Sequence, residues 1–397
     1  MTKRALLSTL GAATLLLSAL AAGVPAADAA GAHGLHGQRV CRAVLAKGEA
    51  NCSAVKLVDG TGAALRSAGP PSTGLTPAGL RDAYKLAGAS SGGRTVAVVD
   101  AYGYPNLERD LGVYRSQFGL PACTSANGCL TIRNQTGGTT YPRANIGWDQ
   151  EQALDVDAVS AACPDCKILV VQARSASFAD LGAAVTYAAG RKPAAISNSY
   201  GGSDAADSTY GHYYDHPGIA VTASTGDDGY QGASYPASSS YVTAVGGTSL
   251  VRAAGTSRGW AESVWTGTGS GCSTLNAALR DAATFGTGCA KRAMADVAAA
   301  SDPGKGGLAV YYPTTSRSST WGQFGGTSEA APIIASVYAL SGATAGYANA
   351  YPYQHAGGLF DVTSGSNGTC PTTQWCSARA GWDGPTGLGT PNGTGAF

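Results

Sequence analysis

The run Arg94-Thr95-Val96-Ala97-Val98-Val99-Asp100 follows two glycines and carries no polar residue between Thr95 and Asp100. A strand with one wet face alternates apolar and polar side chains, so a continuous β-branched run marks a strand covered on both faces. Similar runs lie at Cys166 to Gln172, Ala194 to Ser199 and Ala220 to Ser224, with helical patterns at 150–162 and 178–189 between them. Buried strands alternating with helices predict an α/β domain around a mainly parallel sheet. Ligand sites in such sheets lie outside the carboxyl ends of the strands, and the search for chemistry starts there.

The chain divides before that domain. Lys3 and Arg4 precede an apolar run from Ala5 to about Ala22, and Ala27-Asp28-Ala29 follows at cleavage distance. Residues 1–29 therefore read as a secretory signal peptide. A membrane anchor is the alternative, but much of the run is alanine, glycine and serine, whereas a spanning helix takes roughly 20 strongly apolar residues. Residues 30–74 are Gly/Ala-rich, contain Cys41 and Cys52, and end in Ser67-Ala68-Gly69-Pro70-Pro71-Ser72, which reads as a short leader and linker. Ordered structure is expected from Leu75, where Thr76-Pro77 can open a helix. The domain then runs over 75–397, with a Gly/Ser/Thr-rich stretch from Gly255 to Cys289 expected as surface loop.

Charge and cysteine usage narrow the class. Charged residues make up 13% of the chain and the formal net charge is +1, with no basic stripe, so nucleic acid is not an expected partner. After signal cleavage no membrane association is expected either, and the chain reads as a monomer outside the cell. Ten cysteines fall into five close couples, Cys41/Cys52, Cys123/Cys129, Cys163/Cys166, Cys272/Cys289 and Cys370/Cys376. In an exported chain these read as five short-loop disulfides. Cys163-Pro164-Asp165-Cys166 could be half a zinc site, but no second pair at zinc spacing follows it.

Gly325-Gly326-Thr327-Ser328-Glu329-Ala330-Ala331-Pro332 leads into the apolar run Ile333 to Leu340. A serine at the entry to a buried helix lies beside free backbone N–H groups, which suits a nucleophile because those amides can also hold an oxyanion. A plain N-cap is the competing reading. A nucleophilic serine needs a base. Asp100 sits after the first strand, but none of His33, His36, His212, His216 and His355 stands in a His-Gly-Thr motif. Trp148 to Asp157 instead offers Glu151 and Asp155 at i, i+4, on one helix face, with Asp157 about 200° away from Asp155. A close carboxyl pair shares a proton and leaves one member to act as base at acid pH. A solvated acidic face is the alternative, although only 25 acidic residues occur in the chain and Leu154, Ala158, Ala161 and Ala162 mark this helix as packed. Ser224-Thr225-Gly226-Asp227-Asp228-Gly229 then ends an apolar strand, as a site residue or as a common polar turn.

Taken in order, Glu-x-x-x-Asp, the Thr-Gly-Asp turn, Tyr235-Pro236-Ala237-Ser238 before Ala244-Val245-Gly246-Gly247-Thr248, and Gly-Thr-Ser-x-x-x-Pro resemble the sedolisin family of serine-carboxyl peptidases from about Leu75 to the C terminus. The resemblance implies a subtilisin-like three-layer α/β/α sandwich with a mainly parallel central sheet. It also implies Ser328 as nucleophile, Glu151 as general base, Asp155 orienting Glu151, and Asp227 as the acid that holds the oxyanion. The expected reaction is hydrolysis of peptide bonds in polypeptide substrates at acidic pH, through an acyl-enzyme. A secreted or wall-associated binding protein without turnover and a histidine-based hydrolase remain the rival readings.

The same resemblance implies one structural Ca2+, held by the side chains of Asp361 and Asp383 and the carbonyls of Val362, Arg379 and Gly381. Two carboxylates with backbone carbonyls suit a hard cation. Two Asx-turns in a Gly-rich tail are the alternative. The chain departs from the family in three places and in its ten cysteines, more than typical members have. About 45 residues stand where a large folded pro-domain is usual, Glu329 follows the nucleophile directly, and Arg379 replaces a glycine.

Overall fold

The computed structural model describes residues 1, 2, 34–41, 45–65, 67–342 and 345–397. The expected signal segment lies almost entirely outside these. Ordered structure begins well before Leu75. Strands β1 (His36–Arg39), β2 (Asn51–Cys52) and β3 (Val55–Val58) precede it, and helix α1 (Pro77–Ala83) follows with Thr76 as its cap. The early strands carry no hydrophobic period of their own. Their order comes from partners far along the chain: β2 pairs with residues 200–201, and β3 with residues 324–325.

The four buried runs become β4 (Thr95–Ala101), β6 (Lys167–Ala173), β7 (Ala195–Asn198) and β9 (Ala220–Ser224), with β8 (Tyr200–Ser203) directly after β7; β5 (Leu130–Asn134), a mostly half-buried strand outside those runs, joins them. Between them lie α2 (Leu107–Gln117), α3 (Ile146–Ala162), α4 (Phe178–Gly190) and the single turn α5 (Asp207–Tyr210). Next come β10 (Ser234–Tyr235), β11 (Thr243–Arg252) and β12 (Trp260–Val264). The short β13 (Gly271–Cys272) and β14 (Ala293–Met294), then β15 (Val297–Ala300), β16 (Leu308–Pro313) and β17 (Ser319–Gly325) lead to α6 (Thr327–Ser341).

The main sheet runs β12-β11-β9-β7-β4-β6-β5, with β15 also on β11. Every pairing is parallel except β11 with β12. That antiparallel edge strand falls inside the stretch expected as surface loop. Val96 and Val98 of β4 pack with Leu154 of α3 and Ile333 of α6, while Ala97 and Val99 pack with Leu181 and Val185 of α4. Helices on both faces explain the continuous apolar runs and give the expected three-layer sandwich. Burying Ile333, Ile334, Val337 and Leu340 contributes roughly 1.5–3 kcal/mol each. All five cysteine couples are joined as disulfides.

Candidate active site

Asn145 accepts hydrogen bonds from the N–H groups of Gly147 and Trp148, so α3 starts one turn earlier than its apolar pattern suggests. The helix is covered on all sides from Gly147 to Ala162, which turns its polar residues inward as well. Asp157 leaves on the far side and accepts from the Tyr311 N–H at 3.1 Å. Glu151 and Asp155 share the other side, and both are fully buried.

Those two carboxyls meet a third, Asp100, at the carboxyl end of β4. Among the described residues, neither oxygen of Asp100 and neither oxygen of Glu151 has a hydrogen-bond partner. Burial pushes Asp100 up to about 8. Burial first, then the Asp100 charge, push Glu151 well above the usual carboxylate range. Asp155 is raised by burial, Asp100 and Glu151, and one of its oxygens accepts from the Ser199 hydroxyl at 2.8 Å. Three buried carboxyls without a cation keep protons at pH values where isolated ones have lost them. Asp100 stands out in the sequence only as the acid after the first strand, and Ser199, between β7 and β8, gives no sequence signal.

β17 ends at Gly325, and Gly326 turns the chain into α6 with φ of 93°, a left-handed value that favours glycine. Ser328 follows in the first helical turn, fully buried, its hydroxyl donating to the Ser199 carbonyl at 3.2 Å. The same hydroxyl lies near enough to Glu151 to favour its ionised form without closing a hydrogen bond. A side-chain rotation therefore separates the resting contact from a serine–carboxylate pair.

Asp227 follows the carboxyl end of β9 and faces the same helix entry. One oxygen accepts from the Thr327 N–H at 2.8 Å and the Thr327 hydroxyl at 2.9 Å, while the other is buried and has no partner among the described residues. Burial pushes its pKa up to about 6, against the Arg39 charge and the Thr327 donors. When protonated it offers a donor beside the Ser328 amide. Glu329 is turned away: its carboxyl accepts from the Leu308 N–H at 3.3 Å, and burial raises it well above the usual carboxylate range. Among the described residues no histidine hydrogen-bonds Ser328. His216 bonds the Tyr213 carbonyl and lies beside Thr95 and Ala194, at the amino ends of the strands.

The C-terminal loops bring Asp361 close enough for its charge to act on Asp383. Asp383 is fully buried and pushed to about 7 by burial, with Thr386 and Arg379 donors lowering it. Asp361 accepts from the Gly381 N–H at 2.9 Å. Among the described residues no three His, Cys, Asp or Glu side chains converge as metal ligands. Two neighbouring carboxyls in these loops are the oxygen-donor chemistry that a hard cation takes.

The Subtilase family model matches residues 141–386. The kumamolisin of Bacillus sp. (strain MN-32) is 30% identical over 367 residues, covering 83% of this chain and 64% of that one. The tripeptidyl-peptidase sed1 of Aspergillus fumigatus is 43% identical over 76 residues, 17% of this chain and 12% of that one. Among solved structures, a Pseudomonas sedolisin, a serine-carboxyl proteinase complexed with two molecules of pseudo-iodotyrostatin, superimposes with a TM-score of 0.68 at 24% identity. It covers 81% of this chain and 96% of its own. The chain belongs to the subtilase family, as a subtilisin-like member of sedolisin type. No helix among the described residues is long and apolar enough to cross a membrane.

Proposed function

We propose that the chain is a serine-carboxyl peptidase that hydrolyses polypeptides at acid pH outside the cell. The observation that carries this reading is the convergence of a helix-entry serine, a buried carboxyl pair and a separate raised carboxyl at one end of a parallel sheet, with no histidine among the described residues bonded to the serine. Ser328 attacks the scissile carbonyl, and its proton passes to Glu151, which Asp155 holds in place. The oxyanion takes hydrogen bonds from the Ser328 N–H and protonated Asp227. Glu151 then gives its proton to the departing amine, and water releases the acyl group from Ser328 by the same route. A carboxylate base suits acid conditions, where an imidazole would already be protonated.

Casein hydrolysis measured from about pH 2 to 8 tests this, since the range spans the carboxylate and imidazole pKa values. A bell on the acid side of neutrality is expected. Ser328→Ala should remove turnover while the protein stays folded. Residual activity within about tenfold, a barrier change of only about 1.4 kcal/mol, would remove Ser328 from the mechanism. A limb near pH 6.5 that vanishes on replacing one histidine would overturn the carboxylate assignment.

Calcium belongs to the same proposal. Asp361 and Asp383 would hold it with the carbonyls of Val362, Arg379 and Gly381, and its charge would offset the burial that raises Asp383 and the smaller repulsion from Asp361. Arg379 can serve despite replacing glycine, because only its carbonyl is required and its side chain is engaged with Gln374.

A further inference from the structure

β2 marks how an extended peptide lies against the site. It adds antiparallel to β8, with Asn51 opposite Gly201 and Cys52 opposite Tyr200, and the Ser53 carbonyl that follows accepts from the Ser328 N–H at 3.4 Å. Side chains alternate along such a strand. Cys52 belongs to the buried core with Tyr200, while Asn51 and Ser53 line a cavity of about 710 Å3. The Ser53 hydroxyl accepts from the Ser224 hydroxyl at 3.3 Å and leaves the cavity unfilled. A polypeptide that takes this edge in place of β2 directs into the cavity the side chain next to the carbonyl that Ser328 attacks.

Much of the lining is backbone: Gly201 and Gly202 border the cavity from β8, Gly226 and Gly232 from the loop after β9. A Cβ on Gly226 or Gly232 would meet no atom within 4 Å, so these glycines leave open the space that a side chain there would take. Apolar side chains on the lining are few, Ala233 and, from the segment before the domain, Leu45. Burial of an apolar group therefore gives this cavity little selectivity. Its acids are Asp227, which burial raises to about 6 and which carries its proton in acid, and the neighbouring Asp228. The Asp228 side chain is 66% exposed and meets the guanidinium of Arg39, in β1, at 2.7 Å. Among the described lining residues Arg39 is the one cation.

We propose that Asp228 makes this cavity a cation-selecting subsite: the chain prefers arginine or lysine as the residue whose carbonyl Ser328 attacks, with the charged head of that side chain paired to Asp228 where Arg39 stands. The proposal rests on the peptidase reading above and adds the substrate class to it. The Arg39 contact shows that a guanidinium on a long stem reaches this carboxyl from the cavity edge. A guanidinium gives a carboxylate two parallel N–H donors and an ammonium gives it a point charge, so arginine ranks above lysine. The pair with Arg39 is partly exposed, weak and screened by salt, so an incoming cation can exchange with it. For the same reason the preference is graded, and neutral side chains still enter.

The test uses the full chain after signal removal, assayed at about pH 5, below the Asp227 value and above the ordinary aspartate value of about 3.9. Two quenched peptides differ only in arginine or citrulline before the bond to be cut, because citrulline keeps the length of arginine without its charge. The ratio of their kcat/KM values is the readout, since the Asp228 charge also raises Asp227 and a change there alters both rates alike. Wild type should favour arginine about tenfold at low salt and less at about 0.5 M salt. Asp228→Asn should bring the ratio to within about twofold of unity, Asp228→Glu should keep the preference, and Asp228→Lys should favour glutamate over glutamine in a second peptide pair. Equal rates on arginine and citrulline in wild type, an arginine preference that survives Asp228→Asn, or cleavage at another bond would overturn the subsite and leave the peptidase reading standing. No cleavage of either peptide from about pH 2 to 8, or equal cleavage by Ser328→Ala, would overturn that reading and the subsite with it.

Discussion

Asp227 ties the pH dependence of the proposed reaction to a single proton. Its Thr327-bound oxygen accepts two hydrogen bonds, so the proton belongs on the other, unpartnered oxygen. Burial raises this carboxyl to about 6. Below that value it donates to an oxyanion; above it, a carboxylate faces a developing negative charge. Activity should therefore fall through about pH 6. Asp227→Asn keeps an acceptor for Thr327 and puts a permanent donor at the other position. Its rate should drop on the order of 10²–10³, as for other oxyanion donors, with the alkaline limb flattened. A limb near pH 6 that survives the substitution would assign it to another group. Among the site residues, Glu151, Asp155, Asp227 and Ser328 stand out in the sequence because spacing and local motif mark them. Asp100 is visible as a residue but not as a partner of Glu151, since that contact joins a strand end to a helix. Ser53, whose carbonyl accepts from the Ser328 N–H at 3.4 Å, is not visible at all, because that approach is made across the whole chain.

At the scale of elements, the two C-terminal loops carry the proposed calcium. Without a cation, Asp383 is buried at about 7 beside Asp361. A cation bound only by the folded protein adds its binding free energy to stability, about 2.7 kcal/mol at a hundredfold excess over Kd. Chelation at neutral pH should lower the thermal unfolding temperature, and Asp361→Ala should unfold at the chelated temperature whether or not calcium is present. An unchanged temperature in chelator, together with no calcium by elemental analysis, would remove the site. Strands β4, β6, β7 and β9 of the central sheet are legible in sequence to within a residue or two because burial on both faces writes a continuous apolar run. β12 is not, because an edge strand among glycine, serine and threonine has one partner and little need for apolar residues. β1 to β3 escape notice for a related reason: each is two to four residues long and ordered by pairing rather than by its own composition.

For the whole molecule, the buried acids set a stability that depends on pH in a direction opposite to that of most salt-bridged proteins. Asp227 is raised to about 6, Asp149 to about 7 and Asp100 to about 8, each chiefly by burial. In the unfolded chain such groups titrate near 3.9. Between about pH 4 and pH 8 the folded protein therefore binds more protons than the unfolded chain, and stability must fall as pH rises through that window. Asp165 and Asp180 are lowered by their hydrogen-bond donors, so their contribution is lost as pH falls, but only below about 3.9. The maximum should lie near pH 4, in the range where the proposed chemistry operates. Thermal unfolding of Ser328→Ala, which cannot digest itself, should show this with chelator present to keep metal from Asp383. The midpoint should drop on the order of 5 °C or more from pH 4 to pH 8, since each pKa unit corresponds to about 1.4 kcal/mol. A midpoint that rises toward neutrality would mean that the carboxyls beneath Ser328 are ionised in the folded protein. The shared-proton arrangement of Glu151, Asp155 and Asp100 would then have to be abandoned.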